Sequence, residues 1–279
     1  MSLPPGPLLF VRGGALGDFV LTLPLLAALL ASGREVHVAT ARRHLPLVRT
    51  TGATGRWWDL DGPESLWMFG GTDPVGYAAA WAFGSARAEL PVRPTFLTPA
   101  LPPAGVAAFA HFAPDLTEGL PPVDPAWRLR VAPLRADRPV VLAPGASDAA
   151  RSWPLSRWLA LADALRAAGW PVVLVGGPAE PWADYRPALD ELMALAASAR
   201  AWIGPDSGPT HLAARCGAPT AAIFGPTSTQ WAPFGARVFG WDTAVADLVR
   251  WVGEGRGPQP HQPSTGPGAQ SFPTPSSNG

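Results

Sequence analysis

The most informative group of polar and small residues is the segment DSGPTH at positions 206–211. Its members that could contact a ligand are Asp206, Ser207, Gly208, Thr210 and His211. An apolar run precedes the segment and a helix-like run follows it, so hydroxyls and backbone N–H groups should converge at a helix start, where partial positive charge collects. Such a point binds an anion the size of a diphosphate. A well-capped helix with a satisfied histidine is the simpler interpretation, but it accounts for His211 alone.

A second turn, RGGALGD, contains Gly13, Gly14 and Asp18. Glycines let a ligand approach the backbone closely. The carboxylate of Asp18 can cap or begin the helix that follows. Taken alone, the turn is better explained by Asp18 acting only as a helix cap than by a ligand site.

Two further turns follow apolar strands in the second half of the chain. In PGASDAAR, Ser147 offers a hydroxyl and Arg151 offers a planar fork suited to phosphate oxygens. In VGGPAE, Gly176 opens the strand end, and Glu180 can accept hydrogen bonds from ribose hydroxyls or interact with a helix N-terminus. Trp153, just after the first of these turns, is expected to pack the turn against the next helix.

These turns lie between alternating strands and helices. The first half predicts a strand at 8–12, a helix at 18–31 and a strand at 34–40. The second half predicts strands at 140–143, 171–177, 201–204 and 219–225, with helices at 155–168, 187–199, 208–217 and 243–251. Such β-α-β units build parallel sheets with functional loops at the carboxyl ends of the strands. The last helix is expected to cross back to the first domain.

The intervening residues 50–138 are rich in Pro and Gly and predict strands only at 77–83 and 127–131. The proline-bearing stretch 120–139 is the expected linker. The expected domains are two Rossmann-like units, at 1–135 and 136–252. Residues 253–279 have almost no apolar content and are expected to form a disordered tail.

Composition narrows the function classes. The 279 residues are 47% apolar, and 21 basic residues balance 21 acidic ones, so no general attraction to nucleic acid is expected. All basic residues other than histidine are arginine, and the single Cys216 is expected to be a small buried residue. The apolar run 19–31 could pass for a signal-peptide core, but Asp18 opens it and it is too short to span a bilayer. A cytoplasmic location is therefore expected.

The segments RGGALGDFVLTLP, PGASDAARSWP, VGGPAE and GPDSGPTHLAARCGAPTAAIFGPT resemble, in order and spacing, the successive motifs of glycosyltransferase family 9. This family comprises the ADP-heptose:lipopolysaccharide heptosyltransferases and their relatives. The resemblance spans residues 8–227, although residues 50–138 match poorly and the chain is short for the family. It implies an α/β protein of the GT-B type, with two Rossmann-like doubly wound domains facing a cleft. By this resemblance, 1–135 is the acceptor domain and 136–252 is the nucleotide-sugar-binding domain.

The resemblance also implies an activity. It is the inverting, metal-independent transfer of a heptose-like sugar from an ADP-sugar or other nucleotide sugar to a cell-envelope glycan or glycolipid, without a cofactor. Peripheral contact with the inner membrane face is part of this expectation. Carried over by position, Asp18 is the catalytic base, and the donor-binding residues are Gly13, Gly14, Ser147, Arg151, Gly176, Glu180, Asp206, Ser207, Gly208, Thr210 and His211. Gly13 and Gly14 depart from the family, which usually has hydroxyl residues there, and Arg151 stands where it usually has lysine.

Two other functions compete with this one. The same fold with a degraded acceptor half would be a non-catalytic nucleotide-sugar-binding module of a glycan-assembly complex, which the shortened middle region favours and Asp18 opposes. A dinucleotide oxidoreductase is disfavoured because Arg12 stands where the first glycine of its fingerprint belongs. Only Arg56 and Arg87 are basic between positions 50 and 91, so a neutral or weakly charged acceptor is expected.

Overall fold

The computed structural model describes residues 3–84, 90–113, 120–178 and 180–255. The first half forms a five-stranded parallel sheet in the order β3-β2-β1-β4-β5. Its strands are β1 (Leu8–Val11), β2 (Val36–Thr40), β3 (Trp57–Asp59), β4 (Ala79–Phe83) and β5 (Thr95–Thr98). The helices of this half are α1 (Leu16–Ala31), α2 (Leu45–Thr50) and α3 (Ala108–His111).

Helix α1 forms because its sequence is apolar on nearly every face, and it is buried between the first sheet and the second half of the chain. Phe19, Leu23 and Leu26 have no exposed surface. Pro24 lies inside the helix without ending it. The helix begins at Leu16, two residues before the expected start, and this places Asp18 in its first turn.

The opposite face of the first sheet has a thinner cover. A short helical segment, Pro63–Phe69, replaces the crossover helix between β3 and β4. Its Met68 packs with Trp58 and Tyr77 in one apolar cluster, while Leu66 and Phe69 point outward and are about two-thirds exposed, at 66% and 65%. The chain therefore builds this side of the sheet with few residues.

The second half forms another five-stranded parallel sheet, in the order β10-β9-β8-β6-β7. Its strands are β6 (Val140–Leu142), β7 (Val172–Leu174), β8 (Ala201–Pro205), β9 (Thr220–Phe224) and β10 (Arg237–Gly240). Its helices are α4 (Leu155–Ala167), α5 (Leu189–Ser198), α6 (Gly208–Arg215) and α7 (Val245–Glu254). Every helix and strand expected in this half is present, and β10 is an addition.

Two expectations about the connections are wrong. Residues 127–131 form no strand, because the backbone of Leu129 bonds to the carbonyl of Arg215 at the end of α6 instead of joining a sheet. Helix α7 does not cross back to the first sheet, because Leu248 and Val252 pack in the core of the second one. Residues 120–139 contain no helix or strand, as a linker would, and α7 ends at Glu254, two residues past the expected domain boundary. Nearly all of the expected tail lies outside the described residues.

The two sheets meet where α1 packs against α6. At this contact, a Cβ atom on Gly208 would lie 2.9 Å from Leu16 Cβ and 3.0 Å from the backbone nitrogen of Gly17. Glycine is therefore needed at 208 for the two helix starts to approach this closely. Over the described ranges, no helix is both long enough and apolar enough to cross a membrane.

Candidate active site

A cavity of about 890 Å³ opens between the two halves, at the carboxyl ends of strands in both sheets. The first half contributes residues 15–18 and Leu21 to its wall, and the second half contributes the rest. The expected site residues in the wall are Asp18, Ser147, Arg151, Gly176, Glu180, Asp206, Ser207, Gly208 and His211. Four turns that are distant in sequence thus share one space.

Asp18 stands at the first-half side of this cavity. The N-cap of α1 is Ala15, so Asp18 is not the N-cap residue; it is the third residue of the helix and its carboxylate reaches back. Its Oδ2 accepts the backbone N–H of Ala15 at 2.9 Å. The carboxylate also lies near the positive end of the helix dipole. Its side chain is 38% exposed, which leaves the carboxylate accessible from the cavity.

The other carboxylate oxygen of Asp18 is paired with Arg12. The Arg12 guanidinium lies 3.1 Å from Oδ1, and its Nε donates to the Asp18 main-chain carbonyl at 3.2 Å. Arg12 is only 5% exposed. Burial lowers the pKa of Arg12, and the charge of Asp18 opposes that shift. Sequence reasoning missed this pair, although the residues are only six apart.

On the donor side, Arg151 and Asp206 form a looser pair. The guanidinium nitrogen of Arg151 lies 3.7 Å from Asp206 Oδ2, and the imidazole Nε2 of His211 lies 3.5 Å from Asp206 Oδ1. Arg151 is 38% exposed and Asp206 only 10%. Among the described residues, Arg151 is the one arginine or lysine in the cavity wall. Asp206 therefore holds a cation and a histidine at the edge of the cavity.

The start of α6 supplies the expected anion site. Ser207 precedes the helix, and Gly208 and Pro209 begin it, all three in the cavity wall. The N–H groups of a first helical turn have no partner within the helix and attract anions. Thr210 is fully buried and its hydroxyl lies 3.0 Å from that of Ser207, so Thr210 shapes the turn from behind the wall.

Glu180 lies in the third turn, where its carboxylate accepts the backbone N–H of Gly177. The turn is tight, because a Cβ on Gly176 would lie 2.8 Å from Glu180 Oε2 and one on Gly145 would lie 3.1 Å from Oε1. The Glu180 carboxylate thus uses one of its hydrogen bonds to stabilise its own loop. Glu180, Gly145 and Gly176 all lie in the cavity wall.

Three expected site residues lie outside the wall, namely Gly13, Gly14 and Thr210. Gly14 has a positive φ of 94°, and a Cβ there would lie 2.8 Å from Asp18 Oδ2. Gly14 therefore leaves room for the carboxylate of Asp18 to turn back, which is a reason for glycine that involves no ligand. Its carbonyl accepts a hydrogen bond from Arg43 at 2.7 Å.

Sequence reasoning missed several wall residues that are apolar or lie in loops, of which the largest are Leu21, Pro187, Leu192, Thr227 and Trp231. Trp231 comes from the loop between β9 and β10, and its ring lies 6.5 Å from that of Phe112 in the first half. No charge or glycine pattern marks these positions. The expected packing role of Trp153 agrees with the structure: it is 3% exposed and donates to the carbonyl of Trp241 at 2.9 Å.

The remaining groups that could be reactive are the thiol of Cys216 and any side chains able to bind a metal ion. Cys216 is buried, as expected, and burial raises the pKa of its thiol to about 12, which makes it unreactive. In the part of the chain that the structure describes, no three His, Cys, Asp or Glu side chains are grouped so that they could hold a metal ion.

The chain matches the family model of glycosyltransferase family 9 (heptosyltransferase) over residues 113–184 and 186–249. Its structure resembles that of the E. coli ADP-heptose lps heptosyltransferase II, with a TM-score of 0.69 at 18% identity, over 89% of this chain and 98% of that one. It also resembles E. coli heptosyltransferase WaaC with ADP, with a TM-score of 0.67 at 16% identity, over 90% of this chain and 100% of that one.

A glycosyl transferase of family 9 from Veillonella parvula gives a TM-score of 0.67 at 16% identity, over 91% of this chain and 90% of that one. No curated protein matches the chain in sequence. The two parallel sheets facing a cavity are those of a GT-B glycosyltransferase. The family match over residues 113–184 and 186–249, together with the fold, identifies the chain as a heptosyltransferase-like glycosyltransferase.

Proposed function

We propose that this enzyme transfers a heptose-like sugar from an ADP-sugar to a hydroxyl of a cell-envelope glycan or glycolipid, with inversion at the anomeric carbon. The acceptor binds the first half (residues 1–135) and the donor the second half (136–252). One observation carries this assignment. The Asp18 carboxylate and the Arg151 guanidinium come from different halves of the chain, yet both line the same 890 Å³ cavity.

Arg151 and the start of α6 support a diphosphate on the donor side. Three carboxylates line the cavity, so an anionic ligand needs local positive charge to enter it. The guanidinium and the free N–H groups of α6 provide that charge from neighbouring turns. Glu180 lies within the same wall and is suited to ribose hydroxyls. ADP is the favoured nucleotide because the similar E. coli enzymes are described with ADP or as ADP-heptose transferases.

Asp18 supports the chemical step. The acceptor hydroxyl loses its proton to the Asp18 carboxylate as its oxygen bonds to the anomeric carbon. The bond from that carbon to the diphosphate oxygen breaks at the same time, and the electron pair leaves with the nucleoside diphosphate. Attack from the side opposite the leaving group inverts the carbon. A general base in this role is worth about 10²–10⁴-fold in rate.

Charge that grows on the leaving diphosphate is met by Arg151 and by the dipole of α6. These two groups support a transfer that needs no metal ion. We also propose that the enzyme acts in the cytoplasm, at the inner face of the membrane that carries its acceptor. Activity that is unchanged in EDTA would agree with the first of these statements, and loss restored by a divalent metal ion would contradict it.

The experiment that tests the function is a donor panel. Purified enzyme is given ADP-, GDP- and UDP-sugars with a lysate glycan fraction, and both sugar transfer and donor hydrolysis are measured beside binding of each nucleotide. We expect binding and transfer with an ADP-heptose, and neither with the UDP-sugars. Binding of a donor without transfer to any acceptor would favour the alternative, a nucleotide-sugar-binding module. Transfer from a GDP- or UDP-sugar alone would move the assignment to another donor.

A further inference from the structure

Arg12 is a buried cation that touches the base proposed above without reaching the cavity. Its guanidinium donates two hydrogen bonds to one residue, to the side-chain Oδ1 of Asp18 at 3.1 Å and to the main-chain carbonyl of Asp18 at 3.2 Å. Arg12 is 5% exposed and is not among the residues of the cavity wall. It cannot contact a substrate in this arrangement, so any effect on the reaction passes through Asp18.

Arg12 is itself held firmly. Its backbone N–H bonds to the carbonyl of Ala39 at 2.9 Å, where β1 leaves the sheet. Its guanidinium carbon lies 5.4 Å from the ring centre of Phe83 and 5.2 Å from that of Phe112. A planar guanidinium is suited to both aromatic contact and forked hydrogen bonding, which an ammonium group does not match.

Removing a charged group from water is costly unless it is paired and hydrogen-bonded. Arg12 meets that condition through Asp18, which remains 38% exposed on its other side. The cation of this pair is therefore fixed inside the protein, and the anion is exposed to the cavity. The N–H of Ala15 holds Oδ2 at 2.9 Å, so the carboxylate is oriented from two sides.

We propose that Arg12 is the positioning residue for the Asp18 carboxylate in sugar transfer. This role rests on the proposed function of Asp18 as the general base. Arg12 fixes the rotamer of the carboxylate so that the lone pairs left free point to the acceptor hydroxyl. A shift of the base by about 1 Å is enough to cost up to roughly 10²-fold in rate.

The test is a double-mutant cycle on the full-length enzyme. Arg12→Met and Arg12→Lys are each made alone and together with Asp18→Asn, and kcat, KM for the acceptor, ADP affinity and thermal melting are measured. Arg215→Met is the matched control, because Arg215 is also buried, at 6% exposure, and binds only main-chain carbonyls of Pro125 and Trp127 in the bonds that the structure describes. This control removes a buried guanidinium whose described hydrogen bonds do not involve Asp18.

We expect Arg12→Met to lower kcat about 10- to 100-fold, with KM and ADP affinity changed less than about twofold. Arg12→Lys should keep more activity than Arg12→Met, because the charge remains although the fork is lost. In the Asp18→Asn background, adding Arg12→Met should lower kcat by less than a further twofold or so, because the effects of residues that act as one unit are not additive. Arg215→Met should lower the melting temperature without a comparable loss of kcat in the protein that remains folded.

An equal loss of kcat from Arg12→Met with and without Asp18→Asn would overturn this role. The role would also be overturned if Arg215→Met, at the same melting temperature, lost as much kcat as Arg12→Met. If Arg12→Met does not fold, Arg12→Lys in both backgrounds decides in the same way. Normal transfer by Asp18→Asn alone is a different result, because it removes Asp18 from the mechanism and so contradicts the proposed function itself.

Discussion

The turn at Asp18 and the turn at Asp206 use the same two residue types in opposite ways. Each places an aspartate at or near the start of a buried helix and pairs it with an arginine. In the first turn the arginine is buried, at 5% exposure, and the aspartate is 38% exposed. In the second the aspartate is 10% exposed and the arginine 38%. Burial, more than residue type, decides which charge each turn presents.

This reversal suits the proposed sugar transfer, in which the Asp18 carboxylate takes a proton from the acceptor hydroxyl and the Arg151 guanidinium meets the charge that grows on the diphosphate. In the first pair Arg12 is hydrogen-bonded to the Asp18 carboxylate, whereas in the second Asp206 lies 3.7 Å from the Arg151 guanidinium and offsets its charge. We therefore expect substitutions of the two exposed members to have different consequences, one on the rate and the other on donor binding.

The largest effect is expected from Asp18→Asn, which removes the exposed anion of the first turn. The amide can still accept the N–H of Ala15, so the fold and ADP affinity should be kept. Transfer should fall at least about 100-fold, because an amide cannot take up the acceptor proton at neutral pH. Glycosyl transfer, ADP calorimetry and melting on one preparation make the check. An Asn variant with normal turnover would show that the two turns do not differ in this way.

Arg151→Ala removes the exposed cation of the second turn and should act on binding. Loss of a charge-assisted hydrogen bond costs about 1.5–3 kcal/mol, or roughly 10- to 150-fold in affinity, and the partial exposure of Arg151 favours the lower end. Arg151→Lys should be milder, since the positive charge is retained. Calorimetry with ADP measures both. Equal affinity of Arg151→Ala and the wild type would mean that the diphosphate does not lie against this turn.

Gly208→Ala tests whether the two turns must lie close together. The new Cβ would meet Leu16 and the backbone of Gly17 at 2.9–3.0 Å, so α1 and α6 must separate. We expect a loss of about 1–3 kcal/mol in the free energy of unfolding, with slower transfer. Gly253→Ala is the control, because no atom lies within 4 Å of that Cβ position; a helical site of this kind should gain roughly 0.5–1 kcal/mol. Equal stability of Gly208→Ala and the wild type would show that the close approach is dispensable.

The smallest effect concerns the acceptor side. Arg56, one of the two arginines between positions 50 and 91, lies 3.8 Å over the ring of Trp58 and is engaged there. We expect a neutral or weakly charged glycan acceptor, with transfer changing less than about twofold between low and physiological salt. A salt titration of the transfer rate measures this. Efficient transfer to a multiply anionic glycolipid that is lost at high salt would contradict it.

The second sheet could be predicted from sequence because its strands are short apolar runs separated by helices of ordinary length. The unexpected β10, Arg237–Gly240, is an edge strand whose residues are mostly exposed, so it lacks an apolar run to mark it. In the first half, β3 and β5 were missed for a related reason. They are three and four residues long, and the segments next to them contain no full helix. Neither the period of a strand nor that of a helix therefore runs long enough to be recognised in the sequence.

The sequence by itself determined the turns that carry the chemistry, since glycine, hydroxyl and charged residues at strand ends are local features. It therefore predicts that Asp18, Arg151, Glu180 and the start of α6 lie in one cleft. Tertiary structure alone decided which member of each Asp–Arg pair is the more exposed, and that Gly13, Gly14 and Thr210 stand outside the cavity wall. The physical reason is that exposure depends on what packs against a side chain from distant parts of the chain. The rings of Phe83 and Phe112, about 70 and 100 residues after Arg12, hold that arginine inside and leave Asp18 to face the ligand.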